Sequence, residues 1–434
     1  MLRPLLALIL TAGILTATVA LRGSPPESAD PPPQPIAAAE PRFWKGNLHT
    51  HSLWSDGDDF PEMIADWYKR NGYQFLALTD HNILSDGEKW VDAETNATRK
   101  LAMEKYLARF GPGWVERRNE SGKNLVRLKP LREFRALLDE PGRFHLIPGE
   151  EVTHSYLRRP VHLNAINLRD LIKPVDGNSV SETISLNLRS AADQEQRTGW
   201  PMAMFLNHPN FQWGITAEDM LASEGLKFFE VFNGHSGVRN YGDELHASCE
   251  RIWDILLAVR LGKLGQPVIY GLATDDAHGY HEFGLGKINP GRGWVMVKAP
   301  YLSAENIVRG LHAGDFYAST GVILTDVQRT TDGLRLAIRT EPGVTYLTEF
   351  FATMRNAPLD SEPVFGPTGE ELPVTRRYSQ EIGKVVATTK DPNPVYRFTG
   401  KELYVRAKIT SSKPHPNPYQ AGDTEVAWTQ PALP

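Results

Sequence analysis

The chain has 434 residues, 41% hydrophobic and 23% charged, which is more than one ordinary domain and excludes a largely disordered protein. A formal net charge of -5 argues against a protein that lives on nucleic acid. The single cysteine, Cys249, excludes an intrachain disulfide framework, so stability must come from an apolar core, with or without metal.

In chain order, one positive charge at Arg3 precedes the apolar and small stretch LLALILTAGILTATVA, which closes on Thr18 and Ala20. Residues 1–20 read as a secretory signal, short of the ~20 apolar residues that a membrane span needs; an uncleaved anchor is the alternative. Cys249 lies too far along the chain for lipoprotein cleavage. The expected location is periplasmic or secreted, with no membrane span once the signal is removed. Residues 21–41, rich in Pro, Ala and Ser, read as an extended linker.

From residue 42 to about 325, strand-like runs alternate with helix-like ones. Phe43 to Leu48 predicts a strand. PEMIADWYKRNG predicts a helix, with Pro61 in its first turn, Gly72 just past its end, and Met63, Ile64 and Trp67 at helical spacing. QFLALT predicts a buried strand, and FHLIPGEEVT, VHLNAIN, AMFLNHP, FFEVFNG and VIYGLATDDAH each carry another. ELHASCERIWDILLAVRLG predicts a helix, then WVMVK a strand and SAENIVRGLHAG a helix. Such alternation implies a parallel sheet covered by helices, as a β/α barrel or an open α/β sheet. Residues 83–142 are highly charged and read as an insertion, a solvated helical excursion or a lid. After residue 325, LRLAIRT and LYVRAKIT alternate with period two, so residues 326–434 predict a small all-β C-terminal domain.

Polar residues collect mostly at the C-terminal ends of these strands, where α/β folds assemble their sites. His49 and His51 are two apart, on one face of a strand end. Asp56 follows in a Ser-Asp-Gly turn. His81, His208, Asp276 and His278 close apolar runs, whereas His162 lies near the start of its own. Glu151 stands after an apolar run, where an unpartnered carboxylate is costly to bury; Glu150 is the adjacent alternative. Imidazole and carboxylate suit borderline divalent metals, and the ligands are too many for one ion. Competing designs fail. GHSGV around Ser236 lacks the spacing of a nucleophile elbow, HEFGL from His281 lacks a second histidine, and GLGKI is no phosphate loop. Cys249 falls on a predicted helix as a small apolar group.

The ordered set HTHSLWSDG, LTDHN, GEEVT, HLNAI, NHP, EVFNG and TDDAHG resembles the PHP (polymerase and histidinol phosphatase) superfamily of metallohydrolases. GRGWVMV and FYASTG resemble its carbaryl hydrolase-like branch. The resemblance implies a distorted (β/α)7 barrel with two or three divalent ions, zinc or manganese, with iron as a further option. By that resemblance His49, His51, Glu151 and Asp276 hold one ion. Glu151 bridges to a second, held by His162 and His208. His81 and His278 hold a third, with Asp56 nearby. Where three-zinc members often have a histidine, this chain has Gly57, and Asp56 is the substitute.

The activity this implies is hydrolysis by a metal-bridging hydroxide. Phosphoester substrates are favoured by analogy with the wider family, and carbamate, ester or amide hydrolysis is the alternative. The expected partner is a small, anionic substrate, with Arg292 of GRGW gripping it and His154 or His281 as proton donor. A non-catalytic metal-dependent binding protein is the reading from another class. An exonuclease is disfavoured by the acidic balance.

Overall fold

The computed structural model describes residues 39–434; the expected signal segment and most of the expected linker lie outside the described residues. Strand β1 (Arg42–Asn47) leads through the histidine loop into helix α1 (Pro61–Arg70), and β2 (Phe75–Leu78) follows. Pro61 starts the helix, and Gly72, at φ 76°, turns the chain away from it. The buried face of α1 is centred on Ile64, Ala65 and Tyr68, and Met63 and Trp67 are only half-buried.

The charged segment then forms β3 (Lys89–Asp92), α2 (Ala97–Phe110), β4 (Arg117–Glu120), β5 (Lys123–Leu128) and α3 (Leu131–Leu138). Beyond the helical character expected from the sequence, it holds a three-stranded antiparallel sheet ordered β3-β5-β4. Its apolar side chains form one cluster with Leu53, Trp54 and Phe60 of the histidine loop, in which Tyr106 stacks on Phe60 at 4.1 Å between centroids.

The barrel continues with β6 (His145–Tyr156), β7 (Arg159–Ile166), α4 (Val180–Thr198), β8 (Ala203–Leu206), α5 (Ala217–Leu221) and β9 (Phe228–Asn233). Then come α6 (Cys249–Val259), β10 (Tyr270–Thr274), β11 (Trp294–Ala299), α7 (Ala304–Ala313) and β12 (Phe316–Ser319). The sequence ELHAS, expected to be helical, instead precedes α6, which Ser248 caps by accepting from Arg251 N–H.

Strands run β10-β9-β8-β7-β6-β2-β1 in one sheet. The ring closes just past the ends of β1 and β10, where Thr50 bridges Ala277 in parallel fashion and the His51 N–H donates to the Ala277 carbonyl at 3.0 Å. The result is a distorted seven-stranded α/β barrel. It is not uniformly parallel: β7 is antiparallel to both β6 and β8, and no helix separates it from β6. Alternate residues of the strands, among them Leu48, Phe75, Ile147, Phe205 and Leu272, fill the interior. Ile307, Val308 and Leu311 of α7 join that cluster beside Ala203, Phe228 and Tyr270, which begin their strands. Helix α7 therefore plugs the end opposite the histidines.

From residue 324 onward every element is a strand: β13 (Leu324–Thr330), β14 (Gly333–Ile338), β15 (Tyr346–Met354), β16 (Ser361–Glu362), β17 (Arg377–Tyr378), β18 (Lys384–Thr389), β19 (Val395–Arg397), β20 (Glu402–Pro414) and β21 (Thr424–Thr429). β12 pairs with β21, so the C-terminal strands continue the barrel sheet outward as β21-β20-β15-β18. Leu336, Ile338 and Ile409 share one apolar cluster with Ile64 and Leu76 of the barrel. Among the described residues no helix is long and apolar enough to cross a membrane.

Candidate metal centre

The chain direction places the ligands. Strands β1, β2, β6, β8 and β10 all finish at one rim, so His49, His51, His81, Glu151, His208, Asp276 and His278 meet there. His162 sits early in its run for the same reason: β7 enters the barrel from that rim, and its first residues face the last residues of β6, with Thr153 opposite His162.

Three overlapping groups result. His49 Nε2 lies 3.5 Å from Glu151 Oε1 and 3.2 Å from Asp276 Oδ1, and His51 Nε2 lies 3.3 Å from Glu151 Oε2 and 3.1 Å from Asp276 Oδ1. These spacings suit ligand bonds of roughly 2.0–2.2 Å to one ion. At the same Oε1 that His49 faces, His162 Nδ1 stands at 3.0 Å and His208 Nε2 at 3.5 Å. The third group is gathered by Asp56, whose oxygens lie 3.5 Å from His81 Nε2 and 3.4 Å from His278 Nε2, with His51 Nδ1 at 3.7 Å. All nine residues singled out as ligands in the sequence are in these groups, and Glu151 touches both neighbours of the first.

The donor set fits divalent ions on two counts. His49 Nε2, His51 Nε2 and Glu151 Oε2 are buried without a hydrogen-bond partner, a state that costs about 1–3 kcal/mol for each polar atom. Glu151 and Asp276 are buried carboxylates walled by imidazoles, an arrangement that calls for positive charge. Burial disfavours charge on His49, but Asp276, Glu230 and Glu151 outweigh it and raise its pKa. Burial and the neighbouring His278 push His51 down to about 3, which leaves a neutral, lone-pair-bearing ring. Burial would lower His81, yet Asp56 and Glu151 lift it to about 10.

Gly57 explains the departure from a three-histidine third site. A Cβ there would meet the His51 carbonyl oxygen at 2.4 Å and the Ser52 nitrogen at 2.6 Å, so no side chain fits without moving the loop. Asp56 reaches His81 and His278 in its place. Its loop is held by buried Asp80, whose carboxylate accepts from the Ser52 N–H at 2.8 Å and the Ser55 hydroxyl at 2.7 Å. His208 (φ 25°) and Asp276 (φ 49°) both adopt left-handed backbone, a strain of order 1–3 kcal/mol that accumulates at functional sites.

Several expectations change on contact with the structure. Arg292 does not face the cluster as a free cation. Its guanidinium is fully buried and donates to the carbonyls of Gly234 (3.0 Å), Gly284 (2.7 Å), Lys287 and Asn417. It staples loops together because the GRGW backbone is itself clamped by Asp275, which accepts from the N–H groups of Gly291, Arg292 and Gly293. His154 pairs with Asp176 away from the cluster. His281 is wedged between Lys105 of the insertion (2.9 Å) and the Asp58 carbonyl (3.2 Å). Glu150 projects to the opposite side of β6, where it accepts from the Ile172 N–H at 2.6 Å and burial pushes it up to about 8.

Sequence reasoning missed Glu230, on β9. Its Oε1 is 2.6 Å from His49 Nδ1 and takes the Thr274 hydroxyl at 2.7 Å, while Oε2 takes the His208 N–H at 2.8 Å. Holding the hydrogen on Nδ1 turns the Nε2 lone pair of His49 toward Glu151 and Asp276. Asn207 was missed too; its amide donates to Glu151 Oε1 at 2.8 Å.

No family model matches the sequence, and no curated protein matches it either. Solved structures do. A two-domain protein from Bacteroides vulgatus containing a PHP-like metal-dependent phosphoesterase, itself named from prediction, is similar at 18% identity over 90% of this chain and 95% of that one, with a TM-score of 0.37. A protein from Bifidobacterium adolescentis titled a metal-dependent phosphoesterase is similar at 13% identity over 63% of this chain and 96% of that one, with a TM-score of 0.30. An amidohydrolase from Chromobacterium violaceum is similar at 15% identity over 54% of this chain and 87% of that one, with a TM-score of 0.25.

Proposed function

We propose that this chain is an exported, divalent-metal-dependent hydrolase of the PHP superfamily, in its carbaryl hydrolase-like branch, acting on a small phosphoester. The observation that carries the reading is the convergence of unpartnered His49 Nε2, His51 Nε2 and Glu151 Oε2 on Asp276, flanked by two further groups that share Glu151 or His51. His49, His51, Glu151 and Asp276 would hold one ion, Glu151, His162 and His208 a second, and Asp56, His81 and His278 a third. Zinc or manganese, or iron, suits such a nitrogen-rich set. Bound there, such ions supply Lewis acidity and a water of lowered pKa. The residues supply the rest: Glu151 holds two groups at one carboxylate, Glu230 and Asn207 fix the orientation of His49 and Glu151, and His49, His51 and Glu151 are buried while Asp56, His81 and His278 face the solvent side.

Carbamate or ester hydrolysis is the second reading, and one observation favours it. With Arg292 engaged by carbonyls, the cation expected to grip a phosphate is withdrawn from the opening. The test replaces His49 or Glu151 with Ala and assays an aryl phosphate monoester, a diester and an aryl carbamate, with elemental analysis of each protein. Loss of bound metal together with at least a ~100-fold fall in activity is expected; unchanged activity in both variants sinks the hydrolase. A wild-type protein that binds metal but turns over no substrate points to the non-catalytic binding protein.

A further inference from the structure

His235 stands at the edge of the cluster, half-buried, and none of the candidate ligand groups includes it. Its ring centroid lies 5.5 Å from that of His278, at 76° between planes. On the other side it lies 5.8 Å from Phe211, which itself stands 5.1 Å from His208 and 6.4 Å from His162. His235 and Phe211 together therefore span the opening between the third ligand group and the second.

The ring is set by the loop after β9. The Gly237 N–H donates to His235 Nδ1 at 2.9 Å, the ring's one hydrogen bond among the described residues. A nitrogen that accepts there carries no hydrogen, so the neutral ring keeps its proton on Nε2. Glycine leaves room for this contact: a Cβ at 237 would sit 2.9 Å from His235 Cε1, and the ring would have to shift. The loop is also tied to the ligands. The His235 N–H donates to Asn233 Oδ1 at 2.8 Å, and Asn233 Nδ2 donates to Glu230 at 2.7 Å and to Asp276 at 3.1 Å. His235 as a residue is half-buried. Phe211 lies in a tight turn, its N–H donating to the His208 carbonyl at 2.8 Å and its carbonyl accepting from the Gly214 N–H at 3.0 Å, with His208, Gln212 and Trp213 in left-handed backbone at φ 25°, 51° and 55°.

We infer that His235 is a preorganised donor whose Nε2–H meets the substrate oxygen that gains negative charge, a phosphoryl oxygen or a carbamate carbonyl oxygen, while Phe211 walls the apolar side of the same opening. The assignment rests on the hydrolase reading above. No bond to the imidazole forms or breaks; the ring acts by position alone, as oxyanion donors do.

The test uses the full, metal-loaded protein in three forms, wild type, His235→Ala and His235→Gln, the last keeping an amide N–H near the place of Nε2. An aryl phosphate and an aryl carbamate are assayed in parallel to separate the two oxygen sources. Inorganic phosphate binding is followed by calorimetry, and metal content by elemental analysis. His235→Ala should lower kcat by about 100-fold on the true substrate class with little change in KM, and His235→Gln should recover about tenfold of it. Phosphate binding should weaken in His235→Ala at unchanged metal content. Loss of metal in His235→Ala, or unchanged kcat and unchanged phosphate affinity, overturns the donor role. A wild type inert toward every ester, but with phosphate affinity lowered by His235→Ala, overturns the hydrolase reading and leaves the donor standing. A wild type that neither turns over nor binds phosphate overturns both.

Discussion

Glu230 shows how much of the centre depends on a residue that touches no proposed ion. Its carboxylate faces His49 Nδ1 at 2.6 Å and also fixes the His208 backbone, so it orders two ligand groups at once. Outer-shell carboxylates of this kind are worth roughly 10–100-fold in metal affinity. Glu230→Gln, which preserves volume, should therefore weaken metal binding by about that factor in competition with a chromophoric chelator; an unchanged affinity would show that Glu230 merely fills space. The residue was readable, since the argument that picked out Glu151, a carboxylate beside an apolar run, applies equally to FFEVF. Arg292 was not. Its partners are backbone carbonyls of Gly234, Gly284 and Lys287, and carbonyl positions leave no trace in residue identity. Asp56 over Gly57 lies between these cases. The sequence showed the substitution, but the collision of a Cβ with the His51 carbonyl needed coordinates.

Among the elements, β6 and β7 were legible as strands but not as a hairpin. The link between them is Leu157-Arg158, both left-handed at φ 48° and 66°, between the paired ends Tyr156 and Arg159. Such two-residue turns are ordinarily announced by Asn-Gly or a similar pair. With that signal missing, βα alternation was the natural reading, and the odd position of His162 was its one visible symptom. The insertion was likewise half-legible, because its strands are short, β4 is exposed and β3 only half-buried, which leaves little apolar pattern outside Val126 and Leu128 of β5. It is fastened to the barrel through α1. Buried Glu62 accepts from the Tyr106 hydroxyl at 2.6 Å and from Trp114 Nε1 at 3.0 Å, and burial pushes its pKa up to about 7. The folded state thus holds a proton that the unfolded chain releases above its ordinary value of about 4.3. The contribution is full below that value, declines as pH rises, and is gone above about 7. Glu62→Gln should flatten this slope, with a melting temperature that gains on wild type between pH 5 and 8 by the equivalent of up to about 3 kcal/mol. Parallel curves for the two proteins would rule out Glu62 as the group responsible.

At the scale of the whole molecule, the candidate centre lies where the barrel ring closes, beside the Thr50–Ala277 bridge. Its ligands come from the ends of β1, β2, β6, β8 and β10 and from the start of β7, and Glu230 adds the seventh strand, β9. The rim thus gathers buried carboxylates and imidazoles, where the opposite end is plugged by α7 with apolar side chains. The C-terminal strands reinforce the same body from outside. Buried Arg406 on β20 forms a two-point pair with Asp254 on α6, its Nε donating to Oδ1 at 2.8 Å, and the shared sheet runs through β12 and β21. Stability of the rim must therefore depend on what neutralises Glu151 and Asp276. Ions that bind the folded rim alone stabilise it by about 2.7 kcal/mol at a hundred times their dissociation constant. Chelation of the loaded protein should lower its melting temperature by several degrees, as a single transition that carries barrel and C-terminal strands together. The double variant His49→Ala, Glu151→Ala should melt at a temperature that chelator does not move. A chelator-insensitive wild type, or a chelator-sensitive double variant, would place the stabilising ion elsewhere than at this rim.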